Sequence, residues 1–199
     1  MSSFPVALPG RRERQVDSTR ARLFEAAIAE FRRVGFDRAS VARIAREAGV
    51  SRPSFYFHFP TREHVLLELQ VLEERELVAR LGRARTLREA LHELAEGLIA
   101  CEARLGDSDL FRDMLAIYAR RPAGLPIDAQ PFPIAAALAR DFAEAAARGE
   151  LRAGLVPEDA AQVCLSSVFG LLIARPGPPA QRRADLGLLF SLYLAEDAP

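Results

Sequence analysis

Apolar residues recur along most of this chain at spacings of three and four, the period of an amphipathic helix, and glycine and proline divide the runs. Phe24, Ala27, Ile28 and Phe31 form a first stripe, which predicts a helix from Asp17 to Val34 with Asp17 or Ser18 as its cap and Gly35 as its stop. Phe36 can then fold back onto the helix it follows. Val41, Ile44, Ala45 and Ala48 form a shorter stripe behind a Ser40 cap, and Gly49 stands where a helix commonly ends in a left-handed residue. Ser51 opens a third helix whose first turn holds Arg52 and Pro53, where proline is tolerated because the N–H groups there lack intrahelical partners. Phe55 and Phe59, one turn apart, point inward. Pro60 ends that helix, and Thr61 caps a longer one reaching about Ala84, with Leu66, Leu69, Leu72 and Leu77 burying apolar surface.

The remaining two thirds read the same way. Thr86-Leu-Arg-Glu89 is a capping box ahead of Leu87, Leu91, Leu94, Leu98, Cys101 and Leu105 at helical spacing. A helix is expected from Ser108 to Arg121, with Phe111, Met114, Leu115 and Tyr118 inward, then a loop at 122–133 holding four prolines. The next helix runs from about Pro133 to Arg148 on Ile134, Leu138, Phe142 and Ala145, and Gly149-Glu-Leu-Arg152 is a turn. Pro157 begins a helix with Glu158 and Asp159 at its positive end and no side-chain cap, apolar almost all round from Val163 to Ala174. A proline-broken link leads to a last helix from Gln181 to Glu196, with Leu186, Leu189, Phe190 and Tyr193 in one stripe and Leu188 and Leu192 widening it. The fold expected is all-α, about nine helices: a flexible basic arm at 1–16, a three-helix domain at 17–64 and a helical body at 65–199. The arm, with Arg11, Arg12 and Arg14, reads either as a solvated tail or as an extension reaching a groove.

Two short helices joined by a glycine turn, the second presenting donors, make a helix-turn-helix. Arg52 and Ser54 begin that second helix, where side chains reach base edges and an arginine can fork onto guanine. Pro53 offers apolar contact, such as to a thymine methyl. Tyr56, His58, Arg62 and Ser40 are placed to bond phosphates, and Arg43 to touch either phosphate or base. Gly35-Phe36, Ser40-Val41, Ile44-Ala45, Ala48-Gly49-Val50-Ser51, Phe55-Tyr56, His58-Phe59 and Glu63 together resemble the DNA-binding domain of the TetR (tetracycline-repressor-like) family of bacterial regulators. Pro53, Phe57 and Arg62 depart from that pattern, standing where a small or polar residue, a second tyrosine and a lysine are common. The resemblance points to the same contact positions, Ser51 included. It implies a homodimeric transcriptional repressor on palindromic double-stranded DNA, released by a small-molecule effector bound in the body.

For that effector the candidate lining is Leu69, Leu94, Leu98, Cys101, Phe111, Met114, Tyr118, Phe142 and Phe169, which suits an apolar or aromatic molecule and equally reads as plain core. The last two helices have more than one apolar face, so Leu165, Val168, Phe169, Leu172, Leu186, Leu189, Phe190 and Tyr193 are expected at a homodimer interface. An adaptor or sensor of the same fold that binds no DNA is the alternative. The arginines at 43, 52 and 62, with no acid from Ser51 to Thr61, weigh against it.

Net charge is zero, but the halves differ: residues 1–64 hold 12 Arg against 7 Asp and Glu, and residues 65–199 hold 15 against 20. A basic first third suits phosphates. Cys101 and Cys164 do not make a disulfide scaffold, and a redox switch through either is a variant of the regulator reading. No signal sequence or membrane-spanning run is read, so the expected location is cytoplasmic and no membrane partner is expected. Nucleophile elbow, P-loop and dinucleotide fingerprint are all missing from the sequence, and His58, His64, His92 and the two cysteines lack metal-ligand spacing. Neither an enzyme nor a cofactor or metal is therefore expected.

Overall fold

A computed structural model describes residues 11–106, 108–120 and 133–196. Among them lie nine helices: α1 (Arg11–Val34), α2 (Val41–Glu47), α3 (Arg52–His58), α4 (Arg62–Leu81), α5 (Leu87–Leu105), α6 (Ser108–Arg120), α7 (Pro133–Arg148), α8 (Pro157–Ala174) and α9 (Pro179–Ser191). The chain divides into two compact units at Val65–Leu66. Residues 1–10, the stretch 121–132 where a loop is expected, and the side chains of Arg11, Arg12, Arg14 and Tyr118 lie outside the described residues.

In the first unit α1 starts at Arg11, ahead of the expected Asp17, so Asp17 and Ser18 lie within the helix and do not cap it. Arg11 to Val16 holds good helix formers and neither glycine nor proline, so nothing stops the helix there. Leu23, Ala27, Phe31, Ile44, Phe55 and Phe59 are buried. The α1 stripe is rotated from the expected one: Leu23 takes the inward place and Phe24 is only half-buried. Phe36 does fold back, its ring edge-on to Phe31 at 5.2 Å.

The α2–α3 turn follows from local chemistry. Gly49 has φ +70°, its N–H reaches the Arg46 carbonyl at 3.0 Å, and Val50 N–H reaches the Ala45 carbonyl at 2.9 Å. This pair of bonds closes α2 and needs a left-handed residue between them. A Cβ at Gly49 would meet only the Arg22 guanidinium, at 3.8 Å. Gly49→Ala should therefore isolate the backbone cost, lowering stability by about 1–2 kcal/mol in thermal melts.

In the second unit Leu87, Leu91, Leu94, Leu98, Cys101 and Leu105 of α5 are buried, as are Ile134, Leu138, Phe142 and Ala145 of α7. The Thr86 cap forms, with Glu89 N–H reaching its hydroxyl at 3.1 Å, while the Glu89 carboxylate accepts from Arg85 N–H, one residue ahead of the cap, at 2.8 Å. Leu72, expected in the core, is exposed. The last helix ends at Ser191, short of the expected Glu196. Beyond it the backbone pairs with the turn after α7: Arg152 N–H meets the Tyr193 carbonyl at 2.8 Å and Ala195 N–H the Glu150 carbonyl at 2.9 Å. Those bonds replace the helical ones that residues 193–195 would otherwise make.

Of the eight side chains expected at a homodimer interface, Leu165, Val168, Phe169, Leu172, Leu186, Phe190 and Tyr193 are buried within the protomer, and Leu189 is half-buried. The seven buried side chains belong to the protomer's own core, which leaves Leu189 as the partly exposed member of the set. Helical period cannot separate a helix's own core face from a partner face when nearly every position is apolar. The large apolar side chains left exposed here are Val163 of α8, Leu188 of α9 and Leu192 just past its end. Buried Arg182 ties α9 to two neighbours, bonding the Glu102 carboxylate at 2.6 Å and the Leu172 carbonyl at 3.2 Å. Among the described residues no helix is long and apolar enough to cross a membrane.

Candidate nucleic-acid interface

Ser51 accepts from Ser54 N–H at 3.4 Å and so starts α3, with Arg52 and Pro53 in its first turn. Phe55 and Phe59 are fully buried on the inner side, their ring centroids 5.8 Å apart. The opposite side presents Arg52, Pro53, Tyr56 and Phe57 to solvent, with Ser54 and His58 half-buried. Arg52 and Tyr56 lie one turn apart, and an Arg52 guanidinium N–H reaches the Tyr56 hydroxyl at 3.4 Å. That weak contact pre-orients an exposed cation without consuming it. Arg52→Ala should lower affinity for the specific site by about 1–3 kcal/mol per lost bidentate contact and change affinity for random duplex far less. Parallel titrations of both duplexes check it.

The ends of α3 are fixed by groups the sequence reading did not single out. Arg20 of α1 lies 4.2 Å over the Phe59 ring and donates to the His58 carbonyl, so a cation closes the negative end of α3. Burial, aided by the Arg20 charge, holds the His58 imidazole below its ordinary range. At neutral pH His58 therefore offers a phosphate one N–H and no charge. Phe57, also unassigned, is 76% exposed and stands edge-on to His58 at 5.2 Å. A bare phenyl beside Arg52 and Tyr56 can meet sugars or thymine methyls but donates nothing. The departure from tyrosine at this position was the available signal.

Ser40 caps α2 by accepting from Arg43 N–H at 3.4 Å, and its exposed hydroxyl can still donate outward. Arg43 is half-occupied, its Nε 3.3 Å from buried Glu30. The same Glu30 binds Arg33 at 2.8 Å and accepts from Ser40 N–H at 3.4 Å, anchoring the start of α2 to α1. Arg62 is the principal correction. Its Nη1 donates to the carbonyls of Phe36 (2.8 Å), Asp37 (3.1 Å) and Ala39 (3.0 Å), and its guanidinium lies 5.1 Å from the Phe36 ring centroid. It clamps the α1–α2 loop and is not the free phosphate contact expected. Three carbonyls ending α1 and leading into α2 need donors, and an arginine in the first turn of α4 supplies them.

The residues expected to line an effector site belong to the second unit. Leu69, Leu94, Leu98, Cys101, Phe111, Met114, Phe142 and Phe169 are all buried. Burial pushes the Cys164 thiol up to about 12 and raises Cys101 further, so both are uncharged and poor nucleophiles at neutral pH. A cleft of about 650 Å³ opens elsewhere, between α4 and α5, and is lined mainly by charged groups: Glu76, Arg80, Arg83, Glu89, His92 and Glu93. No cluster of metal-ligating side chains occurs among the described residues.

Residues 23–69 match the family model described as bacterial regulatory proteins, tetR family. The chain is 43% identical over 51 residues, 26% of each chain, to the uncharacterized HTH-type transcriptional regulator YdgC of Bacillus subtilis. It is 56% identical over 34 residues to the HTH-type transcriptional regulator EthR of Mycolicibacterium smegmatis, covering 17% of this chain and 16% of that one. The matched stretch thus spans about a quarter or less of these curated relatives. Similarity to a solved structure extends further: Thermus thermophilus FadR, a TetR-family transcriptional repressor in complex with lauroyl-CoA, aligns with TM-score 0.65 and 26% identity over 90% of this chain and 97% of that one.

Proposed function

This chain belongs to the tetR family of bacterial regulatory proteins, and on that premise we propose that it is a homodimeric, sequence-specific DNA-binding repressor released by a small molecule. The observation that carries the reading is the outer side of α3. Arg52, Tyr56 and Phe57 stand exposed on a helix whose ends are fixed by Ser51 and Arg20, with no acid from Ser51 to Thr61. Pre-set, uncompensated donors on a short rigid helix are what groove reading needs. One such helix covers few base pairs, so a twofold pair on an inverted repeat supplies the rest of the specificity.

The pairing surface we assign is the outer side of α8 and α9. Val163, Ser166, Gly170 and Ala174 of α8 and Ala184, Gly187 and Leu188 of α9 are exposed. Such small residues let helices approach closely, and Val163 and Leu188 supply apolar area that a monomer would leave in water. FadR, solved with lauroyl-CoA, supports a ligand-binding role for the second unit here. The test combines sedimentation with mobility shift on the DNA flanking the gene. The reading expects a dimer at micromolar concentration and a discrete complex on a fragment holding an inverted repeat. A monomer that shifts no flanking fragment overturns it.

A further inference from the structure

Among the described residues, the second unit buries one acid with no cation at ion-pair distance. Glu74 of α4 is 3% exposed, and Gln70, one turn earlier, is 2% exposed. Gln70 Nε2 donates to the Glu74 carboxylate at 2.9 Å, and the only other donor to Glu74 among the described residues is the N–H of Ile134, in the first turn of α7, at 3.5 Å. No arginine lies within ion-pair distance of Glu74 among the described residues, and the Gln70 Oε1 has no partner at all. The other two buried glutamates in such positions are compensated. Glu30 has Arg33 and Arg43, and Glu150, which accepts from Leu87 N–H at the start of α5 at 2.7 Å, has Arg148. A buried carboxylate and a buried amide oxygen side by side, short of donors, form half of a recognition site.

We propose that the effector of this regulator carries a protonated amine on an apolar body, and that the ammonium is held by Glu74 and the Gln70 Oε1. The proposal rests on the effector reading above and names its chemistry. An ammonium brings three N–H donors and a positive charge, which satisfies the unpartnered Gln70 oxygen and supplies Glu74 with a cation. It enters by displacing the Ile134 N–H, whose bond is at the limit of hydrogen-bonding length. A carboxylate ligand would set a second negative charge beside Glu74, and a bare hydrocarbon would leave the Gln70 oxygen unpaired. Burial, partly offset by the hydrogen bonds from Gln70 and Ile134, raises Glu74 to about 7, so a cation beside it would favour its ionised form. Glu74 and Gln70 are themselves almost fully buried, so the rest of the molecule has to be apolar.

The test titrates the full chain with matched octyl, cyclohexylmethyl and naphthylmethyl compounds, each as amine, alcohol and carboxylate, followed by calorimetry and by release of bound DNA. The expected result is binding of the amines at least tenfold tighter than of the matched alcohols, with the preference erased in Glu74→Gln and weakened in Gln70→Leu. Alcohols or carboxylates binding as well as the amines, no binding by any series, or an amine preference that survives Glu74→Gln each overturns the proposal. If carboxylates release DNA instead, the regulator reading stands and this chemistry falls. If DNA is never bound, the regulator reading falls while an amine preference is still read from calorimetry.

Discussion

Arg62→Ala is expected to lower the stability of the DNA-binding unit by about 2–4 kcal/mol, and to weaken binding to operator and random duplex alike without changing the slope of log affinity against log salt. The reason is geometric. The guanidinium of Arg62 bonds three backbone carbonyls between Phe36 and Ala39. Hydrogen bonds to a charged group contribute roughly 1.5–3 kcal/mol each, but three on one half-buried nitrogen do not add, so one to two bonds' worth is the estimate. Losing them frees the loop that carries Ser40 into α2, and α2 positions α3. A phosphate-contacting arginine behaves differently: its removal lowers the salt slope by about 1 and leaves the melting temperature nearly unmoved. Anisotropy titrations at several salt concentrations, beside thermal melts, separate the two roles. A changed slope with an unchanged melt would restore Arg62 to the phosphate backbone.

Glu74→Gln is expected to stabilise the protein above pH 7 and to do little near pH 4.5. In the native state Glu74 titrates at about 7 because burial disfavours its charge, against 4.5 for an ordinary carboxyl. Between those values the folded chain holds a proton that the unfolded chain has released. Stability therefore falls as pH rises through this window and levels off above it. The contribution is on the order of 3 kcal/mol, from about 1.4 kcal/mol for each unit of the shift. Glutamine keeps the shape and an acceptor for the Gln70 N–H but cannot ionise. At roughly 2–4 °C per kcal/mol for a chain of this size, the variant should melt several degrees above the parent at pH 8, with the gap closing toward pH 5. Asp141 is also raised by burial, so the parent alone cannot assign the effect, and the difference between the two proteins can.

What the sequence disclosed is local. The Ser40, Ser51 and Thr86 caps, the left-handed Gly49 and the inward Phe55 and Phe59 all follow from residues within one or two turns of each other, and the structure forms each of them. The site itself was less legible. Arg62 has its partners 23–26 residues upstream, and no spacing rule marks a long side chain that bonds backbone carbonyls. Arg20 closes α3 from a separate helix 38 residues earlier. The extension of α1 was lost because a basic, polar stretch reads as tail and helix alike. On α8 an all-round apolar sequence carries no phase, so the pattern does not separate the protomer's core from a partner face. Gln70 and Glu74 look like a solvated pair one turn apart, and only their surroundings show them to be buried.

We propose that the exposed side of α3, presented twice by a symmetric dimer, discriminates DNA sequence. The most direct measurement is selection of full-length protein against a randomised duplex pool, followed by competition at one fixed, near-physiological salt between the selected site, a single half-site and shuffled duplex. The account predicts an inverted repeat bound about a thousandfold or more tighter than shuffled DNA, with most of that advantage lost on the half-site. Enrichment of no sequence, or equal affinity for all three duplexes, would contradict it.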